Sequence, residues 1–121
     1  MTRRTMIAAP LLHTIESAGE AVLTLSETLE EAEFRRSRLV RPEVQRQLCL
    51  MGDTLGAMPP EVLKALPEID WEGWRAHRRL FEGEPPASDD AMWFAMQSLV
   101  PATLNWLRVY KQSQPELFDY R

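Results

Sequence analysis

Apolar residues recur along this chain at steps of three and four, the spacing that returns to one face of a helix. No segment alternates apolar and polar residues as a half-buried strand requires, so the pattern predicts an all-α protein. Leu11, Leu12, Ile15, Ala18, Val22 and Leu25 mark a first helix from about Pro10, a good first-turn residue, to about Leu25. Gly19 weakens it without ending it. Ser26 is placed to cap a second, charged helix over Glu27–Arg38, with Leu29, Ala32 and Phe34 as a thin apolar edge. The cleanest stripe is Val44, Leu48, Met51, Leu55 and Met58, which predicts a third helix from about Pro42 to Met58.

Prolines and glycines punctuate the rest. Pro59 and Pro60 end the third helix, because a residue before proline is pushed out of the α region. Glu61–Leu66 makes a short helix stopped by Pro67. Asp70 stands at the N-cap of a fourth helix, Asp70–Phe81, closed by Gly83 and by Pro85 and Pro86. Ser88 or Asp89 caps the last helix, which carries Met92, Trp93, Met96, Leu99, Val100, Leu104, Trp106, Leu107 and Tyr110. Pro101 falls inside it and should kink or weaken the turn just before. Gln112–Arg121 reads as a short tail with no internal signal. Leu48, Met51, Leu55, Met92, Trp93, Met96 and Leu99 are expected to be buried together.

At 121 residues, residues 1–121 form one domain, large enough to bury about two thirds of its unfolded surface without metal or disulfides. Hydrophobic residues at 45% and charged residues at 26% are ordinary globular values that do not indicate disorder, and no run approaches the ~18 apolar residues of a membrane span. Glu16 and Glu20 interrupt the segment after Met1-Thr2-Arg3-Arg4 before a signal peptide can develop, so a cytoplasmic protein is expected. Cys49, the single cysteine, excludes an internal disulfide and reads as a small buried hydrophobe rather than a reactive thiol. Net charge −4 gives the whole molecule no general attraction for nucleic acid. Any RNA contact must come from a local cluster: Arg35, Arg36, Arg38 and Arg41, or Arg75, Arg78 and Arg79. The competing reading is a solvated helix face with pairs such as Glu31–Arg35.

The stretch from Leu48 to Glu84 reads LCLMGDTLGAMPPEVLKALPEIDWEGWRAHRRLFEGE: an apolar helix, a Pro-Pro pair, a short helix, the turn PEIDW and a basic helix. This order, with the internal proline of the last helix, resembles the HepT-like branch of the HEPN superfamily, and the likeness runs from the first helix through Leu107. The resemblance implies an antiparallel helical bundle of four to five helices, a homodimer, and a partner of the minimal nucleotidyltransferase antitoxin kind. Its activity would be metal-free RNA cleavage through the 2′-hydroxyl, without a cofactor.

The family pattern after PEIDW is R-N-x-x-x-H. This chain has Arg78 at the arginine and Arg79 at the asparagine. The histidine position falls on Gly83 when counted from Trp71 without a gap, or on Glu82 when Leu80 is matched to the motif leucine. No imidazole stands at either, and the tyrosine of some relatives is absent. His77, adjacent to Arg78, points about 100° away from it on a helix. His13 reads as a partly buried structural histidine. Glu82 and Glu84 are expected to pair with Arg78 and Arg79 and stay charged. Two histidines and one cysteine without close spacing do not suggest zinc. Trp71, Trp74, Trp93 and Trp106 suit core and dimer packing better than a base-stacking platform. The fourth helix is expected to face its mate through Trp71, Trp74, His77 and Phe81.

Three readings follow. The first is a HepT-like component of a toxin–antitoxin type module with lost or reduced cleavage that still binds RNA, through Arg75, Arg78 and Arg79, or a partner protein. The second is an active endoribonuclease in which Arg78 works with a rearranged partner such as His77 or Glu82. The third is a structural or scaffold dimer without RNA contact.

Overall fold

The computed structural model describes the backbone of residues 3–119 and the side chains of residues 8–119. The described residues are helical or in turns, with no strand, and no helix among them is long and apolar enough to cross a membrane. Helix α1 spans Arg3–Ser26 and so begins well before Pro10, which lies inside it on the exposed side. The stripe extends N-terminally through Ala8 and Ala9, both buried, and tertiary packing carries the helix across the proline. Gly19 does more than loosen this helix. A Cβ there would stand 2.9 Å from Leu104 Cδ2, so the glycine permits a close approach to the C-terminal helix.

Helix α2 (Glu31–Arg36) is shorter than the charge pattern suggests. Ser26 ends α1 instead of capping α2: its hydroxyl donates back to the Val22 carbonyl at 2.7 Å. The start of α2 is fixed by Glu33, whose carboxylate accepts from the Glu30 backbone N–H at 3.0 Å. Phe34 is fully buried, Leu29 partly so, and Ala32 is exposed. In α3 (Val40–Gly56) the pattern holds throughout, because Val44, Leu48, Met51 and Leu55, with Met58 just beyond, are all buried. Helix α4 (Pro60–Ala65) follows with Pro60 in its first turn, where a missing N–H costs nothing.

Helix α5 covers only Trp71–His77, and a 3-10 turn at Leu80–Glu82 replaces the last turn of the single helix expected to Phe81. Its cap is as expected: Asp70 Oδ1 accepts from the Gly73 N–H at 2.8 Å. Helix α6 (Ala87–Phe94) begins before Ser88 and Asp89, so neither caps it. Both side chains are buried and turned to Arg41 at the start of α3. A π-helical turn at Ala95–Leu99 then runs directly into α7 (Val100–Ser113). Pro101 has no N–H to donate to the preceding turn, and the wider turn just before it is where the helix absorbs that loss.

One core joins these elements. Leu48, Met51, Leu55, Met92, Met96 and Leu99 share it with Leu12, Ile15, Phe34 and Leu107, while Trp93 is half-buried at its edge, tilted against Phe34. The C-terminal segment also belongs to it: a 3-10 turn at Pro115–Leu117 buries Leu117 completely. His13, in contrast to its expected place, is exposed. Ion pairs tie α2 and α3 to the start of α6. Arg41 Nε donates to buried Asp89, and Arg35 spans Asp90 at 2.6 Å and Glu31 at 2.9 Å.

Leu48→Ala is expected to cost about 2–5 kcal/mol, as truncation of an enclosed leucine does. Leu55 borders a surface cleft, so Leu55→Ala should cost less than Leu48→Ala. Urea unfolding of both variants checks the order, and a reversed order would show that α3 is rotated.

Candidate functional site

A helix of seven residues is too short to hold itself in water, so α5 is fixed by what its side chains reach. Trp74 is 2% exposed, and its Nε1–H donates to Thr103 Oγ1 of α7 at 2.9 Å. Its ring meets Phe81 edge-on, with centroids 6.2 Å apart. Trp71 is half-buried and donates from Nε1 to the Leu66 carbonyl at 2.9 Å. These anchors set the end of α5, where the candidate residues lie.

Arg78 crosses to α3. Its aliphatic stem lies over Gly52, where a Cβ would stand 3.2 Å from Arg78 Cγ. Its guanidinium donates from Nε to Asp53 Oδ1 at 2.8 Å and from Nη2 to the same oxygen. Both side chains are about half exposed, so the pair is worth only ~0–1 kcal/mol and orients Arg78 more than it stabilises the fold. Arg75 pairs within α5 with Glu72 at 2.8 Å, also in the open. Arg79 is exposed and forms no ion pair among the described residues.

Neither Glu82 nor Glu84 forms an ion pair with Arg78 or Arg79 in this structure, contrary to the charge expectation. Glu82 instead acts as a negative neighbour of the Cys49 thiol on α3. Burial first, then the carboxylates of Glu82 and Asp53, push that thiol above its ordinary pKa, with Arg78 opposing. Cys49 is therefore a protonated, half-buried side chain at neutral pH and a poor nucleophile.

His77 faces away from Arg78. Its ring stacks on Phe94 of α6 at 5.0 Å and on Phe81 at 6.4 Å. Nδ1 lies 2.9 Å from the Gly73 carbonyl, which only accepts, so Nδ1 carries the proton. No imidazole stands beside the guanidinium within the chain. Trp74 and Phe81 are almost fully buried within the monomer, whereas the expected dimer face needs them at the surface. Trp71 and His77 are half-buried, and Leu80 and Phe94 are 43% and 44% exposed. None of the four tryptophans stands free as a stacking platform, since three are half-buried against the core and Trp74 is inside it.

Between α3, α4 and α5 lies a cleft of about 70 Å³. Gly52 and Gly56 line one side. Leu55, Leu63, Trp71 and Trp74 supply its apolar walls, and Arg75 and Arg78 complete the lining. Sequence reasoning passed over Asp53 and Thr103, because each meets its partner across a long sequence separation. A weak signal existed for Asp53: Gln45, Cys49 and Asp53 recur every four residues, one face of α3, and Gln45 also reaches this segment by donating to the Phe81 carbonyl at 2.7 Å. Among the described residues no three His, Cys, Asp or Glu side chains converge as a metal site. Comparison of the chain with protein-family models, with curated proteins and with solved structures gives no match.

Two outcomes are expected from this geometry. Trp74→Phe leaves the buried Thr103 hydroxyl without its partner and should cost about 1–3 kcal/mol in thermal or urea unfolding. Adding Thr103→Val should recover part of that cost, since the unpaired hydroxyl goes with it. Separately, iodoacetamide should label Cys49 slowly at pH 8. Glu82→Gln should speed labelling several-fold by relieving a negative neighbour, and Arg78→Ala should slow it; opposite signs would mean the thiol does not sense these charges.

Proposed function

We propose that this chain is a HepT-like, homodimeric component of a toxin–antitoxin type module that has lost or reduced RNA cleavage and retains binding. The observation that carries the reading is the state of Arg78. The guanidinium is held by Asp53, the nearest histidine is turned into an aromatic stack, and Glu82 forms no ion pair with Arg78. Arginine can neutralise a phosphate, but the proton transfers of cleavage need a group that titrates near neutral pH beside it.

Of the two ligands, RNA or a partner protein, the charges favour the protein. The chain carries net charge −4, and two of the three arginines at this end are already matched by Asp53 and Glu72. RNA is a polyanion and meets the unfavourable net charge of the whole molecule, whereas a protein partner needs only local contacts. A protein partner of the minimal nucleotidyltransferase kind can instead use the exposed Leu80 and Phe94 together with the arginines.

An RNase assay on purified protein tests the loss of cleavage. The factor of about 10² to 10⁴ typical of general acid–base catalysis should be missing, and Arg78→Ala should leave any residual signal unchanged. Robust cleavage abolished by Arg78→Ala would overturn the proposal in favour of an active endoribonuclease. Light scattering at tens of micromolar should give a dimer, and a monomer would remove the dimeric part of the reading.

A further inference from the structure

The cleft between α3, α4 and α5 has a composition that points to one kind of occupant. Its walls are apolar, and both charged residues in its lining, Arg75 and Arg78, are positive. The balancing carboxylates, Asp53 and Glu72, lie outside the lining. A ligand that enters therefore meets hydrocarbon inside and two guanidiniums with no acid among the lining residues.

Size narrows the choice further. About 70 Å³ is several times the ~10–15 Å³ that one water needs and about half of a ~150 Å³ cavity that admits benzene. One branched aliphatic side chain fits that space. Trp71 is a firm wall for it, because its indole N–H is held by the Leu66 carbonyl. Gly52 and Gly56 keep the other side low, and a Cβ at Gly56 would meet nothing within 4 Å, so the opening there is not filled by another part of the chain.

We propose that this cleft is the docking site for an acidic–aliphatic segment of a partner protein: one leucine-like side chain inserted against Trp71 and Leu63, with carboxylates beside it engaging Arg75 and Arg78. The inference deepens the partner-binding reading above by giving the partner's chemistry. Exchange of carboxylates is easy here, because both existing pairs are solvent-exposed and weakly held. Charge thus selects the segment, while burial of the aliphatic side chain supplies most of the affinity.

The test uses the full chain and blocked hexapeptides carrying one leucine flanked by glutamates, followed by the amide signals of Gly52 and Gly56 and the Trp71 indole signal in NMR titrations. The acidic peptide should shift these signals saturably. Replacing its leucine by alanine should weaken binding more than about tenfold, the scale of burying one aliphatic side chain. Replacing its glutamates by glutamines should weaken it about three- to tenfold, as two exposed charge contacts would. The protein double variant R75Q and R78Q should remove the preference for glutamate over glutamine and keep the preference for leucine over alanine. Unsaturable shifts, indifference to the leucine, or an unchanged glutamate preference in the double variant would overturn the proposal. So would N-acetyl-leucine binding as tightly as the acidic peptide, since the ligand would then be a free small acid. These readouts are independent of RNA cleavage, so an active nuclease in the assay above and an empty cleft here are separate results.

Discussion

The indole of Trp74 is the contact on which the arrangement of this end of the molecule depends. Helix α5 makes too few backbone hydrogen bonds to form alone. Burying the indole against Phe81 and satisfying its N–H on Thr103 gives the segment a fixed place beside α3 and α7. Everything assigned to the candidate site follows from that placement. Arg78 reaches α3 only because α5 ends where it does, His77 reaches Phe94 on the opposite side, and Trp74 itself is a wall of the cleft. The bond is buried on both sides, so loss of the indole N–H would leave the Thr103 hydroxyl oxygen without a donor.

Charge is distributed between two different tasks. Arg35 and Arg41, which look on paper like half of a basic patch, are committed to Asp89, Asp90 and Glu31 and tie helices together. Asp89 is only 6% exposed, and a carboxylate at that depth is tolerated because Arg41 and its surroundings pair it. At the other end, the pairs of Arg75 and Arg78 are in solvent and weak. The Arg41–Asp89 pair is structural because it is largely buried, and the pairs of Arg75 and Arg78 remain available because they are not.

The polar residues around Arg78 set the electrostatics of this end. Cys49, Asp53 and Glu82 share one small region, and each carboxylate raises the cost of forming a thiolate. The single guanidinium among them balances those charges through Asp53, while the stem of Arg78 covers Gly52. A nucleophile or a general base needs the reverse: a neighbour that favours the reactive form. The same geometry suits recognition, where a guanidinium held in place by weak contacts can change partners without refolding.

The sequence by itself determined the helical class, the register of α3 and the Asp70 cap. A stripe at steps of three and four, or a carboxylate ahead of a free backbone N–H, acts within a few residues and needs no distant partner. It also indicated disturbed geometry before Pro101, since a missing donor is a local fact. Tertiary structure alone decided the rest. Ser88 and Asp89 became partners of Arg41 instead of caps, the C-terminal segment entered the core through Leu117, and α1 continued past Pro10 on the packing of Ala8 and Ala9. Above all, the pairing of Arg78 with Asp53 and the enclosure of Trp74 and Phe81 depend on how three helices cross, because these partners lie far apart in sequence and meet only when the core has set the distances between them.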